Sequence, residues 1–74
     1  MDLVELLGRN VRAARQARRM SQEKLAFEAE MKRSYLSDLE RGTRNPSVRA
    51  LGRLAAALEM DPGDLLRPNN SQVR

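Results

Sequence analysis

The sequence predicts an all-α fold, a compact bundle of five helices. Three observations carry this reading. Apolar residues recur at helical spacing, and no stretch sustains an apolar–polar alternation. Strand-favouring residues are few, whereas Ala, Leu, Arg and Glu, all strong helix formers, dominate. Helix start and stop signals divide the chain into five stretches, with no internal repeat and no low-complexity segment.

The first helix is expected from about Leu3 to Arg18, with Leu3, Leu7, Val11 and Ala14 as its inner stripe. Ser21 has the chemistry of an N-cap and Glu23 falls in the first turn of a second helix. That helix ends near Ala29 and turns Leu25, Ala26 and Ala29 inward. A third helix, Arg33 to Arg41, carries Leu36 and Leu39 and stops at Gly42, a good residue just past a helix end. After the loop Thr43–Pro46, either Asn45 or Ser47 caps a fourth helix reaching about Leu58, with Val48, Leu51, Leu54, Ala55 and Leu58 inward. Asp61-Pro62-Gly63-Asp64 opens a short fifth helix through about Leu66: a cap, a proline at the first position, then an acid. Residues 1–66 thus read as one domain, and Arg67–Arg74 as a disordered tail.

A chain of 74 residues buries only about 60% of its unfolded surface and is marginal alone. It has no cysteine and no histidine, so disulfides, thiolate metal sites and Ser-His or Cys-His nucleophile pairs are excluded. Neither a metal, a cofactor nor a catalytic role is expected. Oligomerisation is the stabiliser that remains. The longest apolar run, Leu54–Leu58, is far below a membrane span, and Asp2 directly after Met1 argues against a secretory signal. A soluble cytoplasmic protein is expected, with no membrane partner.

Fourteen Lys and Arg against ten Asp and Glu give a net charge of +4. Asp2, Glu5, Glu59, Asp61 and Asp64 sit near the ends, and Gly8–Arg19 holds Arg9, Arg12, Arg15, Arg18 and Arg19 with no acid. Such a stripe is either a nucleic-acid footprint or a solvated face.

Two short helices joined by a few residues, the second rich in hydrogen-bonding side chains, make a helix-turn-helix pattern. Its apolar pins are Leu25, Ala26, Ala29, Met31, Leu36 and Leu39. Lys32 stands where a cap is expected, and Lys32 and Arg33 lie at the end of the dipole that disfavours cations. Local rules broken together point to function, and a DNA partner explains both cations. The alternative is that Ser34 is the true cap and both lie outside the helix. Asp38 either accepts from cytosine N4, orients Arg33 or Arg41, or is a solvated acid.

The tracts Ser21-Gln22-Glu23-Lys24-Leu25-Ala26, Arg33-Ser34-Tyr35-Leu36-Ser37-Asp38-Leu39-Glu40-Arg41-Gly42 and Asn45-Pro46-Ser47 resemble the Cro- and repressor-type (XRE) helix-turn-helix family. Leu25-Ala26-Phe27 and Arg33-Ser34-Tyr35 also look like the small controller proteins of restriction-modification operons. The resemblance implies a lambda repressor-like DNA-binding domain that dimerises on a palindromic double-stranded operator, its third helix in the major groove. It places base contacts on Lys32, Arg33, Ser34, Ser37 and Asp38. It places phosphate contacts on Gln22, Arg41, Thr43 and Asn45, with Arg44 and Arg49 near enough to assist. Tyr35 either joins the phosphate contacts or packs half-buried. Arg15 and Glu40 hold the positions of a structural ion pair. Glu30 occupies a turn position where glycine is common, so either the turn differs or strain is tolerated. Phe27 is ordinary surface, a cover for the first helix, or a contact for a partner such as RNA polymerase. Met60, Leu65 and Leu66 are too many apolar groups for a short helix to hide, so a dimer interface centred on Leu65 or Leu66 is expected unless all three close the core. The implied role is a transcriptional regulator without a small-molecule ligand; the rivals are a phage-type repressor and an antitoxin-like interaction module.

Overall fold

The computed structural model describes residues 2–68, and every regular element among them is helical. Four α-helices run in order: α1 (Leu3–Ala17), α2 (Gln22–Glu28), α3 (Arg33–Glu40) and α4 (Val48–Leu58). The fifth expected helix is instead a 3-10 turn, Pro62–Leu66. Asp61 caps it through Gly63 N–H at 2.9 Å, and Arg67 is driven to extended backbone (φ −96°, ψ 138°) because it precedes Pro68. The turn's backbone bonds run three positions back, as from the Asp64 N–H to the Asp61 carbonyl at 2.9 Å, rather than four. Residues 69–74 of the expected tail lie outside the described residues. The described part of the tail is tied down: the Asn10 amide donates to the Leu65 and Arg67 carbonyls at 2.9 and 2.8 Å.

Side-chain caps start three of the four α-helices. Asp2 Oδ1 accepts from Val4 N–H, Ser21 Oγ from Lys24 N–H and Ser47 Oγ from Ala50 N–H, each at 3.0 Å. All four close in the same way. A residue in the left-handed region, Arg19 (φ 58°), Glu30 (φ 59°), Gly42 (φ 80°) or Glu59 (φ 56°), is followed by an N–H that reaches back five positions. These bonds run Met20 to Arg15, Met31 to Ala26, Thr43 to Asp38 and Met60 to Ala55, at 2.8–3.0 Å. The motif characteristically adds a hydrophobic contact from the residue after the left-handed one, and Met20, Met31 and Met60 pack against the core there.

Three of these four left-handed positions are not glycine, and each stores strain of about 1 kcal/mol. Glu30→Gly is therefore expected to stabilise the fold by up to about 1 kcal/mol. That raises the melting midpoint by up to roughly 4–8 °C at fixed protein concentration. A lower midpoint would mean that Glu30 behaves as ordinary helix.

The core gathers Leu7 and Val11 of α1, Leu25, Ala26 and Ala29 of the second helix and its cap, Leu36 and Leu39 of α3, Leu54, Ala55 and Leu58 of α4, and Leu65. Arg53 on α4 donates to the Ala29 carbonyl at 2.9 Å and so satisfies the end of α2. Gly8 lets α1 approach α3 closely: a Cβ there would collide with the Leu39 carbonyl and lie 2.9 Å from that of Glu40. Three expectations need correction. Leu3 and Val48 are 58% and 84% exposed, because each is the first residue of its helix and overhangs the core rather than facing it. Leu65 is fully buried within its own chain, so it cannot form the centre of a dimer interface. Among the described residues, no helix is long and apolar enough to cross a membrane.

Candidate nucleic-acid interface

The chemistry-bearing face belongs to α3 and the turn after it. Lys32 is the N-cap residue, with extended backbone and no side-chain cap bond, so Ser34 lies inside the helix and the alternative reading of the cap is excluded. The first-turn N–H groups have no intrahelical partner, as at any helix start, and here no side chain covers them. Arg33, Ser34, Ser37, Asp38 and Arg41 follow at spacings of one, three, one and three, which places them on one face. Leu36, Leu39 and Glu40 take the opposite, buried face. Lys32, Arg33 and Ser34 are exposed, as are Arg41, Thr43, Arg44, Asn45 and Arg49. Residues 32–49 thus present five cations and one carboxylate, Asp38, outward, since the other acid, Glu40, is buried.

A buried ion pair sets the pose of this face. Arg15 on α1 grips Glu40 with two parallel bonds, Nε to Oε2 at 2.7 Å and Nη2 to Oε1 at 3.0 Å. Its third nitrogen donates to the Met20 carbonyl at 2.8 Å. The two side chains are only 12% and 3% exposed. Gln22, at the start of α2, donates its amide to Glu40 Oε1 at 3.0 Å. One carboxylate therefore fastens α1 and α2 to the end of α3, and among the described residues no buried side-chain nitrogen or oxygen is left without a hydrogen-bond partner. The basic stripe of α1 is correspondingly broken, since Arg15 points inward. Gln22 keeps one amide hydrogen and its carbonyl for any outer partner.

The exit of α3 is organised by Asp38. Arg41 bonds Ser37 Oγ at 3.2 Å and also the Asp38 carboxylate. The Arg44 guanidinium lies 3.8 Å from the other Asp38 oxygen and stacks 4.8 Å above the Tyr35 ring. The backbone carbonyl of Asp38 accepts both the N–H and the hydroxyl of Thr43 at 3.0 Å. Asp38 thus pairs with Arg41 and Arg44, not with Arg33. Tyr35 is half-buried beneath Arg44.

Two features escaped the sequence. Asn10 straps the C-terminal turn to α1. Leu3, Val4, Pro46, Val48, Leu51 and Leu66 line one shallow groove between the starts of α1 and α4. Their separation by more than forty positions hides it from any periodicity. Phe27, 80% exposed, does not cover α1; it stands out from α2 among the exposed Glu23, Lys24, Glu28 and Glu30.

Residues 11–65 match the HTH_3 helix-turn-helix family. The chain is similar to the control protein C.BamHI of Bacillus amyloliquefaciens, 50% identical over 62 residues that span 82% of this chain and 76% of that one. It is also similar to the control protein C.SmaI of Serratia marcescens, 39% identical over 66 residues, 89% of this chain and 79% of the other. The crystal structure of the restriction-modification controller protein C.AhdI from Aeromonas hydrophila superposes with a TM-score of 0.82 at 44% identity, covering 86% of this chain and 96% of that one.

Proposed function

Since the chain belongs to the HTH_3 helix-turn-helix family, whose members bind DNA through this motif, we propose that it is a sequence-specific transcriptional regulator of the restriction-modification controller kind. It acts in the cytoplasm as a homodimer, with α3 in the major groove of each half of a two-fold-related operator. The observation that carries this is the exposed face of α3: an uncapped, cation-bearing start held in a fixed pose by the Arg15–Glu40 pair. Arginine forks suit guanine O6 and N7, and the free first-turn N–H groups suit phosphate. Lys32, Arg33, Ser34, Ser37 and Asp38 face base edges. Gln22, Tyr35, Arg41, Thr43, Arg44, Asn45 and Arg49 meet the backbone. The apolar groove around Leu3, Val48 and Leu66 is the dimer interface, with Met60 at most peripheral because it packs on the core. Dimer symmetry sets the two α3 helices about 34–36 Å apart. Phe27 is the surface this reading assigns to RNA polymerase. The protein's own concentration, not a small-molecule effector, governs occupancy, and no catalysis is involved.

Reading and holding separate in one experiment. Binding is measured on a duplex selected from a random library and on a scrambled duplex, at two salt concentrations. Arg33→Ala is expected to cost about 1–3 kcal/mol on the selected duplex and far less on the scrambled one. Arg41→Ala should weaken both by similar factors. With about three phosphates neutralised per subunit, the wild-type slope of log K against log salt should be near −5. Equal losses on both duplexes for Arg33→Ala would make it a phosphate clamp, and a slope near zero would sink the DNA reading altogether.

A further inference from the structure

An acid on a DNA-facing surface is repelled by phosphate, so Asp38 on the outer face of α3 needs a reason. Its surroundings supply one. The carboxylate takes Arg41 on one oxygen and Arg44 on the other. Through Arg41 it reaches the Ser37 hydroxyl, and through Arg44 the Tyr35 ring. Its backbone carbonyl holds Thr43 twice. Arg41, Thr43 and Arg44, three side chains at the exit of α3 suited to grip a phosphate, therefore connect to this residue.

We propose that Asp38 is a specificity-determining residue: an internal stand-in for phosphate that occupies Arg41 and Arg44 in the free protein and yields them to any DNA at a cost, which is repaid where a base offers Asp38 a donor in exchange. The inference rests on reading α3 as the DNA-reading helix.

The physical case is one of competition. Arginine binds carboxylate and phosphate through the same planar fork. Exposed ion pairs of this kind are weak and exchange readily; the Arg41 and Arg44 side chains are 62% and 49% exposed against 34% for Asp38. On arbitrary DNA, moving both arginines to phosphates leaves the Asp38 carboxylate unpaired against a polyanion, so part of what those contacts contribute is lost. At a site where cytosine N4 or adenine N6 faces Asp38 in the major groove, the released carboxylate accepts a hydrogen bond and the exchange becomes favourable. One residue thus lowers affinity for all DNA and restores it selectively, the use of a repulsive element to create discrimination.

The test compares wild type with Asp38→Asn on a duplex selected from a random library by the wild-type protein, and on a scrambled duplex of the same composition. The amide keeps the shape and the backbone bonds to Thr43 but removes the charge. The scrambled duplex should bind roughly tenfold more tightly to the variant, and its salt slope should steepen by about one unit per subunit. The selected duplex should gain less than the scrambled one, so that the ratio of the two affinities falls. Asp38→Ser, measured alongside, gives the same pattern without an amide that could disturb the turn. A variant that loses affinity equally on both duplexes, or that keeps the wild-type slope and ratio, overturns the inference and makes Asp38 a simple brace of the exit turn. A wild type that fails to discriminate between the duplexes overturns the reading of α3 itself.

Discussion

Arg15→Met is expected to destabilise the protein by about 3–5 kcal/mol, the range for removing one partner of a buried pair. The substitution leaves the Glu40 carboxylate, 3% exposed, with Gln22 as its one remaining side-chain donor, and it strips the Met20 carbonyl of its arginine. A domain of 74 residues has a total stability of only about 4–11 kcal/mol at the usual per-residue range. The variant should therefore retain between nothing and about 8 kcal/mol, a loss large enough to read directly. Urea unfolding followed by circular dichroism measures the loss. The double variant Arg15→Met, Glu40→Met separates the charge from the packing. Replacing both ions by apolar groups of similar length removes the stranded carboxylate, so stability should return to within about 1–2 kcal/mol of wild type. Operator affinity should not return with it. The fork fixes how α3 stands relative to α1 and α2, and a pair of methionines fills the same volume without that directionality. A loss below about 1 kcal/mol for the single variant would show that the pair behaves as a solvated one.

That pair also marks how far the sequence could be read. Elements with a local signal were legible. Ser21 announces its cap, Gly42 its stop, and the 3.6-residue spacing the buried leucines of α1, α3 and α4; for α4 the sequence offers Asn45 or Ser47, and Ser47 is the cap. The exits of α1, α2 and α4 were harder, because they use Arg19, Glu30 and Glu59 in the left-handed region where glycine gives the usual signal. The usable sign was the methionine that follows each of them, since this motif places an apolar contact one position beyond the left-handed residue. The fifth helix was overread because Asp61-Pro62 is a sound start signal, while Pro68 holds Arg67 extended and confines the element to a short stretch, the length at which 3-10 turns are common.

Within the site, the one-face arrangement of Arg33, Ser34, Ser37, Asp38 and Arg41 follows from spacing alone. The partners of Asp38 do not. They depend on which way two exposed arginines turn, and Arg44 is steered by Tyr35, a contact across nine positions and a change of direction at Gly42. Burial of Leu65 was likewise invisible locally. Its place in the core is set by Asn10, fifty-five positions away, which holds its carbonyl. With Leu65 inside, the apolar surface proposed for a partner copy becomes the groove where α1 and α4 begin, lined by Leu3, Val48 and the neighbouring Leu66.

This shift changes the test of assembly. The double variant Leu3→Glu, Val48→Glu is expected to be monomeric and to bind its operator at least 100-fold more weakly, the lower end of what is lost when two linked contacts become independent. Both residues are exposed, at 58% and 84%, so neither contributes much to the core of one chain. Each is the first residue of its helix, where the macrodipole favours an acid by about 0.3–1 kcal/mol. Folding of the single chain should thus be unharmed. In a symmetric dimer joined through this groove, by contrast, four carboxylates would be forced together against apolar groups. Sedimentation without DNA reads the assembly directly. The melting midpoint of the wild type should rise with protein concentration, and that dependence should vanish in the variant. Added acids near Arg49 also repel phosphate, so the scrambled duplex serves as the control: its affinity should fall by a much smaller factor than that of the operator. A doubly substituted protein that still sediments as a dimer would place the interface elsewhere on the molecule. A monomer that keeps full operator affinity would remove the two-fold arrangement from the account of how this chain finds its site.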